Sequence, residues 1–194
     1  MFNRIPLLLF VLAGLSWMGL QGCTPPPPPE PEVEAQLKEP TAPAKVDLPT
    51  ISVEAMSYDE LTEKIKEYKG KVVVLDYWAT WCPECVAEFP GLVELHQSHG
   101  PDEVVCVSVS LDADGGDVEE VKPLVLEFLR EKQANFPNIL LKTGQRELRD
   151  QLDDFTAPPT MVVYNQEGEL AKLFEAQEAT YEQVTPFVEE LLEK

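Results

Sequence analysis

Basic residues are scarce in this sequence, which has 15 Lys and Arg against 35 Asp and Glu and a formal net charge of -20 over 194 residues. Nucleic-acid binding requires a basic surface that releases counterions from phosphate, so we expect no nucleic-acid partner. The same shortage argues against adsorption to anionic lipid through a basic patch. Cysteine is also scarce, because four residues at uneven spacings are too few for a small protein held together by disulfides.

An apolar run long enough for a comfortable transmembrane helix is missing, because the run from Ile5 to Leu20 has 16 residues where about 20 are needed. With Arg4 before it, this run has the plan of an export signal. The segment Leu20-Gln21-Gly22-Cys23 resembles the bacterial lipobox, in which the signal is cut before a cysteine that becomes lipidated. We therefore predict a lipoprotein signal peptide over residues 1–22 and a lipid anchor on Cys23. An ordinary cleaved signal or an uncleaved anchor is the alternative.

Residues 23–49 form a segment of different composition, the predicted lipidated cysteine followed by a linker. Nine of residues 24–49 are proline, and four glutamates add like charges. Because proline fixes φ and removes a hydrogen-bond donor, this linker is predicted to be an extended spacer of the polyproline type. It would hold the following domain away from a membrane. Binding of a proline-recognising partner is the less favoured interpretation.

The pattern over residues 50–194 alternates between helix-like and strand-like segments and predicts a single domain. Capping boxes at Ser57–Glu60 and Thr180–Gln183 predict two helix starts, and the apolar run Val72–Leu75 predicts a central strand covered on both faces. The predicted elements are helices at 57–70, 83–96, 120–134, 147–152 and from 180, and strands at 72–75, 104–109, 139–141, 160–164 and 170–174. Pro123 leaves the start of the third helix open. This order predicts a three-layer α/β/α fold with a central mixed sheet.

The pair Cys82 and Cys85 lies where the first core strand gives way to a helix. Their spacing puts both thiols on the first helical turn, close enough to form a small disulfide ring, and Pro83 suits the first helical position. At a helix N-terminus, unpaired N–H groups and the helix dipole favour the Cys82 thiolate, which is the form that attacks a disulfide. Cys85, one turn inward, can then displace the product. The pattern predicts thiol–disulfide exchange.

The segment Val74-Leu75-Asp76-Tyr77-Trp78-Ala79-Thr80-Trp81-Cys82-Pro83-Glu84-Cys85 resembles the active site of thioredoxin-fold oxidoreductases, especially the exported TlpA-like and ResA-like branch. The resemblance covers the domain nearly end to end. Ala157-Pro158-Pro159-Thr160 is similar to the cis-proline loop of the family, with Pro159 at the cis position. The resemblance implies a thioredoxin-like fold, a redox-active Cys82–Cys85 disulfide, and no metal or organic cofactor.

The resemblance also implies roles for the residues around the two thiols. Asp76 corresponds to the buried acid through which thioredoxins move the proton of the second cysteine; many TlpA-like chains have asparagine there. Pro159 would line the contact with substrate, and Pro158, lacking an N–H, would offer it only a carbonyl. The remaining predicted substrate contacts are Trp81, Pro83 and Glu84. The Pro83-Glu84 dipeptide departs from the commonest one in the family and leaves the reduction potential open.

Other interpretations of the same residues are weaker. A zinc site using Cys85 and His96 would need ligands eleven residues apart on one helix, about 16 Å along its axis, which a single zinc ion cannot bridge. The segment Asp112–Asp117 lacks the ligand spacing of a calcium loop and is predicted to be a polar loop before a helix. Cys106 is predicted to be a small buried apolar residue, with a regulatory thiol as its alternative.

We therefore predict a lipid-anchored thiol–disulfide oxidoreductase of the bacterial cell envelope, outside the cytoplasm. Cys82 attacks, Cys85 resolves the mixed disulfide, and Asp76 handles the second proton. Its partners would be protein thiols and disulfides, apocytochrome c or other exported proteins among them, together with an upstream thiol protein that donates electrons. Two alternatives stay open at this point, a peroxiredoxin-related thiol peroxidase and a noncatalytic envelope lipoprotein with a structural disulfide. The peroxidase requires Thr-x-x-Cys, whereas Thr80 is two residues before Cys82.

Overall fold

The computed structural model of the chain describes residues 50–193. The predicted signal peptide at 1–22, the lipidation site at Cys23 and the linker at 24–49 lie outside the described residues, so these boundaries stay predictions. Within residues 50–193, none of the helices combines the length and apolar character required to span a bilayer.

The described region contains six strands and five α-helices in an alternating order. The strands are β1 (Glu54–Met56), β2 (Val72–Trp78), β3 (Val104–Ser110), β4 (Asn138–Leu141), β5 (Thr160–Tyr164) and β6 (Leu170–Glu175). The helices are α1 (Tyr58–Lys66), α2 (Pro83–His99), α3 (Val118–Glu131), α4 (Gln145–Gln151) and α5 (Tyr181–Leu192). A short 3-10 helix, Ala176–Glu178, precedes α5.

The strands form one mixed sheet in the order β1-β4-β3-β2-β5-β6. β1, β4, β3 and β2 run parallel, whereas β5 pairs antiparallel with both β2 and β6. Every residue of β2 and β3 is buried, as expected for central strands covered on both faces. The end of β2, where the two thiols follow, therefore lies in the middle of the sheet.

Successive residues of β2 point to opposite faces of the sheet. Trp78 packs against Phe89 of α2 and Phe128 of α3, with ring centroids 5.0 and 4.5 Å away. Tyr77 points to the opposite face, where its ring centroid lies 5.9 Å from that of Phe155, just after α4. Helices thus cover both faces of the sheet, and the predicted three-layer α/β architecture is confirmed.

The helix starts confirm one predicted cap and correct another. At α1, the Ser57 side chain accepts from the backbone of Glu60, and the Glu60 carboxylate accepts from the backbone of Ser57, so the predicted capping box is formed. Thr180 occupies the N-cap position of α5, but its side chain makes no capping hydrogen bond. The capping box predicted at Thr180–Gln183 is therefore wrong. Glu88 on α2 instead accepts from the Tyr181 N–H at 2.9 Å.

Two further differences concern element boundaries. α3 begins at Val118, after an N-cap at Asp117, so Pro123 lies inside the helix and does not start it. β1 was not predicted, because three residues are too few to show an alternating pattern. It becomes a strand by pairing with residues 139–141 of β4 at the edge of the sheet.

Candidate active site

The two cysteines lie at the start of α2, as predicted. Cys82 is the N-cap and Cys85 is in the first turn, and their sulfurs form a disulfide with a Cα–Cα distance of 5.3 Å. The Cys82 sulfur accepts a hydrogen bond from the backbone N–H of Cys85 at 3.2 Å. Both side chains are buried. The sulfur of Cys82 thus occupies the position where the helix N-terminus stabilises negative charge most strongly.

Exposed side chains surround this buried disulfide. Trp81 is 56% exposed, and Pro83 and Glu84 are also exposed. Trp78, by contrast, is fully buried and belongs to the core. An exposed tryptophan immediately before a buried cysteine offers apolar surface to an approaching chain. The predicted contact residues next to the disulfide in the sequence are therefore exposed.

The proline loop lies across a groove from the start of α2. The Pro158–Pro159 peptide bond is cis, so the position predicted for Pro159 is matched in the structure. A groove of about 470 Å³ is lined by both prolines, by Glu84 and Glu88 of α2, and by residues 176, 177, 179 and 180 before α5. Glu84 and the Pro158–Pro159 pair, which lie far apart in sequence, thus line the same groove.

Asp76 is a buried carboxylic acid on the face of β2 that α2 and α5 cover. It is 1% exposed, and its Oδ2 accepts a hydrogen bond from the Tyr181 hydroxyl at 2.9 Å. Its Oδ1 has no hydrogen-bond partner among the described residues. The pKa of Asp76 is raised to about 7, mainly by desolvation; the Tyr181 hydrogen bond lowers this pKa, and the charge of Glu88 raises it. A carboxyl group with this pKa can both take up and release a proton near neutral pH.

Asp112 holds the loop that leads to Cys82, a role that sequence reasoning missed. Its carboxylate accepts from the backbone N–H and the hydroxyl of Thr80 and from the Ser110 hydroxyl. The sequence alone predicts only a polar loop at Asp112–Asp117. A signal is present in the sequence, because Ser110 ends a buried strand that runs parallel to β2 and Asp112 follows it, but the pairing of the two strands had to be known first.

The remaining candidate residues lie apart from the disulfide. Cys106 is buried in β3, as predicted, and burial raises the pKa of its thiol to about 12. His96 packs edge-on against Phe136, and His99 lies 3.6 Å from the Glu189 carboxylate near the C-terminus of α2. Within residues 50–193 no group of three or more His, Cys, Asp or Glu side chains could hold a metal ion.

The fold, with a disulfide across the first turn of α2 and a cis-proline loop beside it, defines a thioredoxin-like protein. The Redoxin family profile matches residues 43–190. The chain is 30% identical over 139 residues to the sporulation thiol-disulfide oxidoreductase A of Bacillus subtilis, covering 72% of this chain and 75% of that protein. It is 32% identical over 110 residues to the thiol-disulfide oxidoreductase ResA of Bacillus subtilis, covering 57% of this chain and 56% of ResA.

Solved structures share the fold. The exposed lipoprotein thioredoxin Etrx1 of Streptococcus pneumoniae superposes with a TM-score of 0.51 at 25% identity, over 66% of this chain and 90% of Etrx1. A secreted disulfide oxidoreductase of Mycobacterium tuberculosis superposes with a TM-score of 0.51 at 23% identity, over 65% of this chain and 86% of that protein. The protein is a thiol–disulfide oxidoreductase with a thioredoxin-like fold. It belongs to the Redoxin family.

Proposed function

We propose that this protein is a lipid-anchored reductase of the cell envelope that reduces disulfides in exported proteins through Cys82 and Cys85. In each turnover the dithiol form gives two electrons to a substrate disulfide and becomes the Cys82–Cys85 disulfide. Another thiol protein restores the dithiol. The observation that carries the proposal is the disulfide across the first turn of α2, beside the groove formed with Pro158 and Pro159.

The first step is attack by the Cys82 thiolate on one sulfur of the substrate disulfide. A mixed disulfide forms between Cys82 and the substrate, and the other substrate sulfur leaves as a thiolate. The N-cap position of Cys82 favours its ionised form, because the backbone N–H of Cys85 donates to the sulfur and the helix dipole favours negative charge there. Cys82 is therefore the nucleophile.

The second step is attack by Cys85 on the Cys82 sulfur of the mixed disulfide, which releases the second substrate thiolate. Cys85 is buried, so its thiol needs a base nearby to become nucleophilic. Asp76 lies under α2, and its pKa of about 7 suits acceptance of that proton in neutral solution. Asp76 thus acts in the resolving step and not in the initial attack.

The substrate would lie in the groove between α2 and the proline loop. Glu84 lines this groove on one side, and Pro158 and Pro159 line it on the other. Trp81 and Pro83, exposed on either side of Cys82 in the sequence, would make further contacts with the substrate. Glu84 and Glu88 add negative charge to this groove in a chain of formal net charge -20. Complementary charge accelerates association, so basic exported proteins would be preferred, and more strongly at low salt.

The location outside the cytoplasm rests on the sequence of residues 1–23 and on the nature of the relatives. A signal peptide ending before Cys23 would export the chain, and lipid on Cys23 would keep it at a membrane. One structural neighbour is itself an exposed lipoprotein thioredoxin. Reduction of apocytochrome c is one role open to an envelope reductase of this type.

Equilibration with a glutathione buffer tests the proposal. A catalytic Cys82–Cys85 disulfide exchanges with the buffer and yields a reduction potential, whereas a purely structural bond resists reduction. A potential in the range of thioredoxin, about -270 mV, would support a reductant, and one near -120 mV would support an oxidant. Turnover with hydrogen peroxide in place of a protein disulfide would favour the peroxidase alternative.

A further inference from the structure

The contact between Tyr181 and Asp76 joins the last helix to the central strand inside the core. The Tyr181 hydroxyl donates to Asp76 Oδ2 at 2.9 Å, across 105 residues of sequence, and both side chains are buried. A buried phenol needs a partner, and a buried carboxylate needs donors. This hydrogen bond serves both, but it occupies only one of the two carboxylate oxygens.

The two oxygens of Asp76 are therefore chemically different. Oδ2 receives the phenol proton, whereas Oδ1 has no partner among the described residues. A carboxyl group that gains a proton at Oδ1 keeps its Tyr181 hydrogen bond, whereas protonation at Oδ2 weakens that bond, because a protonated carboxyl oxygen is a poorer acceptor. The phenol thus makes Oδ1 the oxygen that takes up and releases the proton.

Two features of α2 fix the position of the Tyr181 ring. The Glu88 carboxylate accepts from the Tyr181 backbone N–H at 2.9 Å and thereby anchors the start of α5. Gly91, one turn further along α2, leaves room for the ring, because a Cβ at this position would overlap the Tyr181 side chain. Two contacts with α2 therefore position Tyr181: its backbone N–H donates to Glu88, and its ring packs over Gly91. These contacts direct its hydroxyl toward Asp76.

The titratable groups around Asp76 come from each packed element. Tyr181 reaches it from α5, Glu88 acts from α2, and the Cys106 thiol lies near it on β3. Cys85 of α2 becomes a further titratable thiol on reduction. Burial and Glu88 raise the pKa of Asp76, and of these influences only the Tyr181 hydrogen bond lowers it. Loss of the phenol would therefore keep Asp76 protonated to higher pH.

We propose that Tyr181 is a positioning residue for thiol–disulfide exchange: its hydroxyl occupies Oδ2 of Asp76 and so directs the Cys85 proton to Oδ1. In the resolving step, the proton leaves the Cys85 thiol for Oδ1 and the Cys85 sulfur bonds to Cys82. The bond from Cys82 to the substrate breaks, and the substrate leaves as a thiolate. This inference rests on the proposed function, since it assigns Tyr181 a part in the step that Asp76 serves.

The test uses the reduced full chain carrying Cys23→Ser, in mild detergent, mixed with one equivalent of dithiodipyridine. Attack by Cys82 releases the first thiopyridone, and resolution by Cys85 releases the second in a unimolecular phase. In Tyr181→Phe the first phase is unchanged and the second is slowed about tenfold at neutral pH, the size expected when a hydrogen bond to a charged group is lost. The midpoint of its pH profile moves upward, so the difference shrinks in alkaline solution.

The controls separate positioning from packing. Tyr77→Phe removes a buried hydroxyl from the neighbouring residue on the opposite face of β2 and leaves both phases unchanged. In an Asp76→Asn background, Tyr181→Phe has no further effect on the second phase, because the group it acts through is gone.

The inference is overturned if Tyr181→Phe leaves the pH profile of the second phase unshifted. It is also overturned if Tyr181→Phe slows the second phase as much in the Asp76→Asn background as it does in the protein with Asp76. Failure of the proposed function looks different. In that case the chain with Tyr181 intact shows no second phase at all, or Cys82→Ser leaves the first phase unchanged.

Discussion

Asp112, in the loop after β3, accepts hydrogen bonds from both the backbone N–H and the hydroxyl of Thr80, two residues before Cys82. The same carboxylate accepts from the Ser110 hydroxyl at 2.7 Å. Three donors thus converge on one acidic side chain. This arrangement fixes the loop from which Trp81 and Cys82 project.

Replacing Asp112 with asparagine is expected to loosen that loop. The amide has one acceptor oxygen, so its NH2 group faces donors that the carboxylate had satisfied. We expect a loss of about 1–3 kcal/mol in the free energy of unfolding and slower attack by Cys82. Urea unfolding and the first phase of the dithiodipyridine reaction measure the two effects. Asp102→Asn, which makes the same change at an exposed position, should alter neither.

Asp76→Asn is expected to stabilise the oxidised protein in a pH-dependent way. The pKa of Asp76 is about 7 in the folded protein, above the value of about 3.9 in an unfolded chain. Between these values the folded state binds the extra proton, so the stability of the protein with Asp76 falls as pH rises. Well above pH 7 the ionised buried carboxylate costs roughly 4 kcal/mol, a penalty that asparagine avoids.

Urea unfolding at pH 4 and at pH 8 measures this effect. Asp76→Asn should match the protein with Asp76 at pH 4 and exceed its stability at pH 8. A difference that stays constant between the two pH values would mean that Asp76 does not titrate in this range. Lower stability of the variant at pH 8 would show that the ionised carboxylate is stabilising.

Gly91→Ala is expected to destabilise the protein although alanine favours helices. Alanine gains about 1 kcal/mol over glycine in a helix interior, but its Cβ would overlap the Tyr181 ring. Overpacking of this kind costs about 1–3 kcal/mol, and it should also slow the resolving step by moving Tyr181. Gln97→Ala, at an exposed position of the same helix, is the matched control. A more stable Gly91→Ala variant would show that the ring has room to move.

Cys106 is expected to be unreactive in the folded protein. Its side chain is buried, and its pKa of about 12 leaves almost no thiolate at neutral pH. Iodoacetamide added to the reduced protein should therefore label Cys82, and it should label Cys106 only after unfolding in urea. Mass spectrometry of the peptides distinguishes the sites. Rapid labelling of Cys106 in the native protein would contradict this expectation and favour the alternative that Cys106 is a regulatory thiol.

The sequence was sufficient where the deciding interactions are local. The sequence predicts β2 and β3 correctly, because a strand buried on both faces shows as a continuous apolar run. It also predicts the positions of Cys82 and Cys85 correctly, because the preference for a helix start depends on neighbouring residues such as Pro83. The cap of α5 is not predicted correctly, because Glu88, which accepts the hydrogen bond from the Tyr181 N–H, lies 93 residues away in the sequence. The same distance in sequence hid the Tyr181 hydrogen bond to Asp76. Gly91 inside α2 is the local sequence feature that accompanies this contact, because it leaves room for the Tyr181 ring.

The division of labour between the two cysteines is tested most directly by trapping mixed disulfides with a reduced protein and a disulfide substrate. Cys85→Ser should accumulate a complex joined through Cys82, because the group that resolves it is missing. Cys82→Ser should trap nothing and should no longer reduce insulin. Mass spectrometry identifies the cysteine joined to the substrate. A complex joined through Cys85 in the Cys82→Ser protein, with none through Cys82 in the Cys85→Ser protein, would contradict the assignment of Cys82 as the nucleophile.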